Sequence, residues 1–217
     1  MTRFVSKISP QLPAGCQHLP GYFKKSDQDL LRTEVRMICE AAPLFRPTMP
    51  RSGKPFSVEM SNAGPLGWVS DKSGYRYQPL HPVTGRPWPP IPHALLELWS
   101  RVVPDAPEPE ACLINVYGKR SKLGSHVDKD EADLVTPVVS VSLGDDAVFH
   151  IGGLRRSDPK VRLTLRSGDV AILGGAARLA YHGIDRIISG TSTLIGPEGG
   201  RINVTLRRVG QSAGFNA

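Results

Sequence analysis

The sequence predicts a mainly β protein with helices packed on the outside of a β core. After residue 110 the apolar residues fall into short runs, separated by turn signals such as Gly144-Asp145-Asp146 and Ser167-Gly168-Asp169. Many short strands at even spacing are typical of a sandwich, a barrel or a jelly roll. Most of the 20 prolines lie before residue 110, so we expect that half to be rich in loops and to hold the helices.

Residues 1–24 are interpreted as an irregular arm, and the first helix follows it. Ser26 is a good N-cap, and Pro43 and Pro47 end the helix. The apolar side chains between these points recur at helical spacing: Leu31, Val35, Ile38 and Ala42. This periodicity predicts one helix with a single buried face.

A loop-rich stretch at 45–92 separates this helix from a second one. The stretch is rich in glycine and proline, holds only short strand-like pieces, and is too polar to form a core of its own. Pro92 is expected to open the second helix and Pro104 to end it. The apolar side chains of that helix are Leu95, Trp99 and Val102.

The remaining half of the chain is predicted to consist of strands. The apolar runs place them at 111–117, 138–143, 147–151, 161–165, 170–173, 178–184 and 201–209. A chain of 217 residues fits one domain, with or without a small subordinate lobe, and can bury a substantial core.

Charge and cysteine content limit the possible surroundings of the protein. A net charge of +7 favours DNA, RNA or an anionic membrane surface as partner, although a basic protein without such a partner is equally compatible with charge alone. The three cysteines are scattered and odd in number, which argues against a disulfide scaffold or a cysteine metal site. Because no stretch is long and apolar enough to cross a membrane, we expect a soluble cytoplasmic protein.

A metal site is suggested by three residues in the second half. His126 and Asp128 are two positions apart, so in an extended segment their side chains project from the same face. This pair alone is a weak signal, and a lone His182 is more often a hydrogen-bonded strand histidine. Together the three match the two-histidine, one-carboxylate facial triad that holds non-haem Fe(II) with open positions. The other four histidines have no comparable neighbours: His18, His81, His93 and His150.

The segment 201–207 alternates strictly between polar and apolar side chains. Its polar face carries Arg201, Asn203, Thr205 and Arg207. Such alternation most commonly means a half-buried strand with a solvated outer face. The functional alternative is a pocket wall whose two guanidiniums bind a dianion, and Asn115 and Tyr117 on another predicted strand would suit the same pocket.

Taken in order, these segments resemble the AlkB-type Fe(II)/2-oxoglutarate dioxygenases, and in particular the bacterial DNA-repair branch. The similarity covers roughly residues 44–209. The matching stretches are Met60-Ser-Asn62, Leu66-Gly-Trp68, Gly74-Tyr75-x-Tyr77, Pro87-Trp-Pro89, Asn115-Val-Tyr117, His126-Val-Asp128-Lys-Asp-Glu131, Ser142-Leu-Gly144, Gly152-Gly-Leu-Arg-Arg156, Ser167-Gly-Asp169, Tyr181-His-Gly183 and Arg201-x-Asn203-x-Thr205-x-Arg207.

This resemblance implies a double-stranded β-helix (jelly-roll) core with N-terminal helices and a nucleotide-recognition lid. The expected division is an arm and helix at 1–44, a lid at 45–92 and the dioxygenase core at 93–217, all in one compact domain. The expected cofactor is Fe(II), with 2-oxoglutarate and O2 as cosubstrates.

Each candidate site residue takes its role from the same resemblance. Iron would be bound by His126, Asp128 and His182. Arg201, assisted by Asn115 and Tyr117, would pair with the distal carboxylate of 2-oxoglutarate. Asn203 and Arg207 would lie near the end of 2-oxoglutarate that chelates the metal.

The lid residues would recognise the base. The resemblance implies that Trp68 stacks on it opposite His126, that Tyr75 reaches a backbone phosphate and that Asp130 meets the exocyclic nitrogen. Two more residues would lie near the base, namely Glu131 and Arg156. A base methylated at its pairing edge is cationic, and both an aromatic face and a carboxylate stabilise a cation. On its own, Trp68 would more often be an aromatic that anchors a small lobe.

The implied activity is oxidative demethylation of N-alkylated bases such as 1-methyladenine and 3-methylcytosine, with release of formaldehyde, succinate and CO2. We expect a monomer that acts on alkylated DNA, preferably single-stranded, or on RNA, and that binds no membrane. Basic side chains in loops beside the core could hold the phosphates: Lys119, Arg120, Lys122, Arg155 and Lys160. Two alternatives remain open, namely a 2-oxoglutarate oxygenase acting on tRNA or protein and a non-catalytic nucleic-acid-binding module.

Overall fold

The computed structural model describes residues 11–197 and 199–210. Its two α-helices are α1 (Lys25–Ala41) and α2 (His93–Val102), and a 3-10 turn spans Gly175–Ala177. The strands are β1 (Cys16–Leu19), β2 (Val58–Ala63), β3 (Gly67–Asp71), β4 (Gly74–Gln78), β5 (Ala111–Tyr117), β6 (Leu123–His126), β7 (Val138–Gly144), β8 (Asp146–Ile151), β9 (Val161–Leu165), β10 (Val170–Leu173), β11 (His182–Ile188) and β12 (Arg201–Arg207).

Two antiparallel sheets form the β core. The larger sheet has six strands in the order β1-β10-β7-β12-β5-β2, and the smaller has four in the order β6-β11-β8-β9. Strands β3 and β4 form a separate hairpin. From β5 to β8, and again from β9 to β12, consecutive strands alternate between the two sheets. This arrangement is the predicted jelly roll, and the mainly β fold class is confirmed.

The helices cover the outer face of the six-stranded sheet, as the sequence predicts. Leu31 and Val35 of α1 and Leu95 of α2 belong to one buried cluster with Ile114 of β5 and Val204 of β12. The alternation in β12 explains this packing, because its apolar side chains point to the helices and its polar ones point between the sheets. The polar face of β12 is therefore buried inside the jelly roll, and the alternative of a solvated outer face is wrong.

Helix α1 begins two residues earlier than predicted. Lys24, not Ser26, occupies the N-cap position. The backbone N–H of Lys24 donates to Asp27 Oδ2 at 3.1 Å, so the carboxylate at the N3 position pairs the N-cap N–H as in a capping box. The Ser26 hydroxyl instead lies 3.3 Å from Asp27 Oδ1.

Several strand bounds differ from the prediction. The strand expected at 178–184 spans His182–Ile188, because the residues before it form turns closed by hydrogen bonds from Arg178 N to Gly175 O and from Ala180 N to Ala177 O. The strand expected at 201–209 ends at Arg207. Residues 16–19 of the predicted irregular arm are strand β1, paired with β10.

The stretch 45–92 has a small apolar centre, contrary to the expectation that it is too polar for one. Val69 and Trp88 are buried there together with Ala42, and Phe45 packs against them. Gly67 is required at this point, because a Cβ would lie 2.3 Å from the Trp88 ring. This close contact packs the β3–β4 hairpin against Trp88.

A buried amide joins this hairpin to the larger sheet. Asn62 of β2 donates from Nδ2 to the Trp68 carbonyl at 3.1 Å and accepts from the Trp68 N–H at 3.0 Å. Both bonds fix the backbone of Trp68 relative to β2. The hairpin therefore has a defined position above the opening between the two sheets.

No helix in the described residues is long and apolar enough to span a membrane. All three cysteines lie within the described residues and are free thiols.

Candidate active site

The three predicted metal ligands lie together at one end of the smaller sheet. His126 is the last residue of β6 and pairs with His182, the first residue of β11, while Asp128 lies in the loop that follows β6. The Nε2 atoms of His126 and His182 are 3.6 Å and 3.8 Å from the Asp128 carboxylate oxygens. All the potential ligand atoms lie within 4.8 Å of one another.

Backbone carbonyls orient both imidazole rings. The Nδ1 atoms of His126 and His182 each lie 2.9 Å from a carbonyl oxygen, of Gly124 and Ala180 respectively. A carbonyl only accepts, so in the neutral ring each Nδ1 carries the hydrogen and each Nε2 keeps its lone pair. Burial lowers the pKa of His182 to about 4, with the neighbouring His126 ring acting in the same direction.

The carboxylate of Asp128 is held in its charged form. Burial alone would raise its pKa, but the guanidinium of Arg207 and the two imidazoles together lower it below its ordinary value. Arg207 donates from Nη2 to Asp128 Oδ2 at 2.9 Å. Two neutral imidazoles and one carboxylate are the ligand set that suits non-haem Fe(II), so these residues fit the metal that the sequence predicts.

A cavity of about 720 Å³ opens beside this cluster. Every other predicted site residue except Arg201 lines the same cavity: Trp68, Tyr75, Asn115, Tyr117, Asp130, Glu131, Arg156, Asn203 and Arg207. Apolar side chains from the β core, such as Phe149 and Leu173, complete its wall. The fold thus brings together residues that are up to 139 positions apart in the sequence.

The wall formed by β5 and β12 carries buried polar atoms without partners. Arg201 Nε, Arg207 Nη1 and Asn115 Oδ1 make no hydrogen bond with any described residue. Unpaired buried polar groups are costly, and groups of this kind commonly belong to a ligand site. Two guanidinium donors suit a small dicarboxylate, so this wall fits 2-oxoglutarate.

Arg201 is fully buried, and it is placed beside the cavity by its strand pairing with Tyr117. Its terminal nitrogens donate to the Asp145 carbonyl at 3.1 Å and to Ser142 Oγ at 2.9 Å. Burial raises the pKa of Tyr117 to about 12, so this phenol stays protonated and can donate to an anion.

The β3–β4 hairpin places two stacked aromatic rings at the cavity. Trp68 and Tyr75 lie 5.7 Å apart at an interplanar angle of 17°. Trp68 Nε1 donates to Asp130 Oδ2 at 2.9 Å, and the edge of Phe56 contacts the indole. Burial raises the pKa of Asp130. The indole is thus linked directly to the loop that contains Asp128.

Glu131 is buried and links the hairpin to the metal cluster. It accepts a hydrogen bond of 2.6 Å from the Tyr77 hydroxyl, and its Oε1 lies 3.1 Å from Arg207 Nε. Its Oε2 lies 3.4 Å from Arg178 Nη2. Arg156 is exposed at the cavity edge and lies over the Tyr181 ring at 5.3 Å.

Two residues of this site had no predicted role, namely Arg178 and Tyr77. Both contact Glu131, and Arg178 is 2% exposed. The available signal for Arg178 was its charge next to the apolar run Leu179-Ala180-Tyr181, since a buried cation must be paired. For Tyr77 the signal was its place two residues after Tyr75, on the same face of a strand.

Comparison with known proteins gives consistent results. Residues 15–207 match the model of the 2OG-Fe(II) oxygenase superfamily. The chain is 52% identical over 189 residues to the alpha-ketoglutarate-dependent dioxygenase AlkB homolog of Caulobacter vibrioides, covering 87% of this chain and 85% of that protein. It is 41% identical over 205 residues to the alpha-ketoglutarate-dependent dioxygenase AlkB of Escherichia coli, covering 92% and 93%.

Two further similarities extend over a shorter stretch or have lower sequence identity. A DNA N(6)-methyladenine demethylase of Arabidopsis thaliana, ALKBH1A, is 43% identical over 106 residues, which cover 46% of this chain and 31% of that protein. The solved structure of OsALKBH1 superimposes with a TM-score of 0.78 at 30% identity, over 92% of this chain and all of that one.

Proposed function

Because the chain belongs to the 2OG-Fe(II) oxygenase superfamily, and within it to the AlkB-type dioxygenases, we propose that it oxidatively removes alkyl groups from nucleobases. Family membership makes it a dioxygenase that depends on Fe(II), 2-oxoglutarate and O2. The observation that carries the proposal is that one cavity joins the His126–Asp128–His182 cluster to the Trp68–Asp130 pair.

The metal and cosubstrate would be held by the residues that fit them. His126, Asp128 and His182 would bind Fe(II), and Arg201 and Arg207 would bind the two ends of 2-oxoglutarate. When bound, Fe(II), 2-oxoglutarate and O2 together supply the oxidation of the N-methyl carbon, which leaves as formaldehyde while 2-oxoglutarate becomes succinate and CO2. Asn115, Tyr117 and Asn203 would assist as hydrogen-bonding partners on the same wall.

The residues of the hairpin and of the loop after β6 would hold the base. Tyr75 stacks on one face of Trp68, so the base would stack on the other face, between Trp68 and His126. Asp130 would offset the positive charge of a base methylated at its pairing edge, and the aromatic face would add cation–π attraction. Tyr75 is 49% exposed and so could reach a backbone phosphate.

Glu131 supports the site in a different way. Its carboxylate is already occupied by Tyr77, Arg178 and Arg207. It would therefore keep the hairpin, the cosubstrate wall and the metal ligand in a fixed relation. Arg156, exposed at the edge of the cavity, is free to approach the base or its phosphate.

The substrate follows from the position of the reacting atom. A methyl group on the pairing edge of adenine or cytosine is inaccessible in a duplex, so the base must be flipped out or already single-stranded. We therefore propose single-stranded alkylated DNA as the preferred substrate, with RNA as a second one. Phosphates would be bound by exposed basic side chains, among them Lys122 at the cavity, with an affinity that falls as salt concentration rises.

The proposal also covers the oligomeric state and the cellular location. We propose a monomer, because the residues proposed to hold the nucleotide all lie on one chain. We propose a cytoplasmic location, because the three cysteines are free thiols, as is usual in a reducing compartment.

The central experiment measures demethylation directly. A single-stranded oligonucleotide with one 1-methyladenine or 3-methylcytosine is incubated with the protein, Fe(II), 2-oxoglutarate, ascorbate and air, and its mass is recorded. We expect the loss of one methyl unit, together with succinate and formaldehyde, from DNA and more weakly from RNA. The matched control is His126→Ala, which removes one proposed ligand.

Each outcome has a defined meaning. Loss of the methyl unit with wild-type protein but not with His126→Ala supports both the chemistry and the substrate. Steady succinate production without any change of mass would support a 2-oxoglutarate oxygenase with another substrate, such as tRNA or protein. If neither the demethylated oligonucleotide nor succinate forms in protein shown to hold iron, the proposed enzymatic activity is contradicted.

The role of Trp68 is tested separately from that of the metal. In Trp68→Ala, kcat/KM for the methylated oligonucleotide should fall about 5- to 150-fold, since base–aromatic stacking contributes about 1–3 kcal/mol. Fe(II) binding should be unchanged. The matched control is Tyr22→Ala, which removes a half-buried aromatic that does not line the cavity. Equal kcat/KM in Trp68→Ala and wild type would mean that the indole only anchors its lobe.

A further inference from the structure

Arg178 is a buried cation outside the proposed metal, cosubstrate and base contacts. It is 2% exposed, and the cavity is lined by other residues. It follows the 3-10 turn between β10 and β11, four residues before the proposed ligand His182. A buried guanidinium is costly unless all its donors are used, so its partners show what it does.

All four contacts of Arg178 go to one loop, residues 127–137 between β6 and β7. Its Nε donates to the Thr136 carbonyl at 2.8 Å, and its Nη1 donates to the Asp128 carbonyl at 2.7 Å. Its Nη2 lies 3.2 Å from the Asp133 carbonyl and 3.4 Å from Glu131 Oε2. One side chain therefore binds the loop at four points spread over nine residues.

This loop needs such a partner because it has no secondary structure of its own. Its buried carbonyls have no strand neighbours to pair with, and an unpaired buried carbonyl is unfavourable. A guanidinium presents five donors in a rigid planar fork, whereas an ammonium is a single point with three donors. Arg178 can therefore satisfy three carbonyls and one carboxylate that no neutral side chain and no lysine could satisfy together.

The loop carries the residues on which the reaction depends. Asp128 and Asp130 lie within it, and the bond to the Asp128 carbonyl connects the backbone of one proposed ligand to the segment leading to another, His182. We propose that Arg178 is a positioning residue that fixes the separation of Asp128 and His182 and the place of Asp130. This inference rests on the proposed metal ligands and base contacts.

The experiment uses two substitutions of Arg178 and one matched control. Arg178→Met keeps the approximate length without any donor, and Arg178→Lys keeps the charge without the fork. The control is Asp169→Asn, which also alters a buried charge that organises loops: Asp169 accepts from Gly21 N and Arg166 N at 2.8 and 2.9 Å, outside the cavity. The Asp169→Asn variant shows how far a general loss of stability alone changes the two measurements.

Two measurements on the full chain report on position and not on turnover. Hydrogen exchange of the metal-free protein follows the amides of residues 127–137, and anaerobic titration with Co(II) follows metal affinity. We expect faster exchange in this loop for Arg178→Met and a roughly 10- to 100-fold weaker Co(II) affinity, the range seen when a group that orients a metal ligand is removed. Arg178→Lys should lie between Arg178→Met and wild type, and Asp169→Asn should match wild type in both measurements.

The outcomes separate this inference from the proposed function. Wild-type exchange and Co(II) affinity in both Arg178 variants would overturn it, and so would weaker affinity with unchanged exchange in the loop. If Arg178→Met does not fold, the comparison of Arg178→Lys with Asp169→Asn decides. Absence of Co(II) binding in the wild type would contradict the proposed metal site, while the exchange data would still decide whether Arg178 holds the loop.

Discussion

The His182→Ala variant should lose all the thermal stabilisation that Fe(II) gives to the wild-type protein. In the structure the Nε2 atom of His182 lies 3.8 Å from Asp128 Oδ2, and burial keeps the ring neutral. A ligand at about 100 times its Kd stabilises a protein by about 2.7 kcal/mol. For a domain of this length that corresponds to a rise in Tm of about 5–10 °C under anaerobic conditions.

His93→Ala is the matched control for this measurement. The side chain of His93 is 83% exposed at the start of α2, so its removal deletes a histidine without affecting the cavity. This variant should show the full Fe(II)-dependent rise in Tm. A rise of half the wild-type size or more in His182→Ala would mean that the metal is held elsewhere.

Local patterns in the sequence predicted most of the core strands, but not β1 or β6. The alternation in 201–207 has a period of two, which depends only on neighbouring residues and therefore predicts β12 and its two faces. The His126–Asp128 spacing is likewise local. Its grouping with His182 came from the ligand set of the facial triad and not from periodicity, because no periodicity connects residues on different strands.

The start of β11 could not be predicted, because composition does not distinguish Arg178–Tyr181 from a strand. The difference lies upstream in Gly174 and Gly175, where Gly175 has a φ of +50° and opens the 3-10 turn. Strand β6 was not predicted, because its four residues show no alternation of polar and apolar side chains. The strand forms by pairing with β11.

The side-chain contacts inside the site could not be predicted from the sequence. Arg178 binds backbone carbonyls 42 and 50 positions away, and carbonyls are present at every residue, so no side-chain pattern marks them. The burial of Glu131 between Tyr77, Arg178 and Arg207 depends on three separate segments of the chain. The boundaries of the lid at 45 and 92 stay predictions.

Gly183→Ala should weaken metal binding although it changes no ligand. Gly183 follows His182 in β11, and a Cβ at this position would lie 2.4 Å from the Leu123 carbonyl oxygen and 2.9 Å from that of Gly124. Both contacts are with the backbone of β6, which cannot move aside without carrying His126 with it. We expect β6 and β11 to separate at the point where the two histidines are paired.

The size of this effect follows from the geometry that the reaction needs. A displacement of about 1 Å at a reacting centre can lower the rate roughly 100-fold, so kcat/KM for the methylated oligonucleotide should fall by that order and Co(II) affinity should fall with it. Gly196→Ala is the control, because its Cβ would meet nothing within 4 Å and its φ is not positive. If Gly183→Ala binds Co(II) as tightly as Gly196→Ala, the β6–β11 pairing does not set the ligand geometry. A loss confined to Gly183→Ala would show that the spacing of two backbones, and not only the identity of three side chains, determines the metal site.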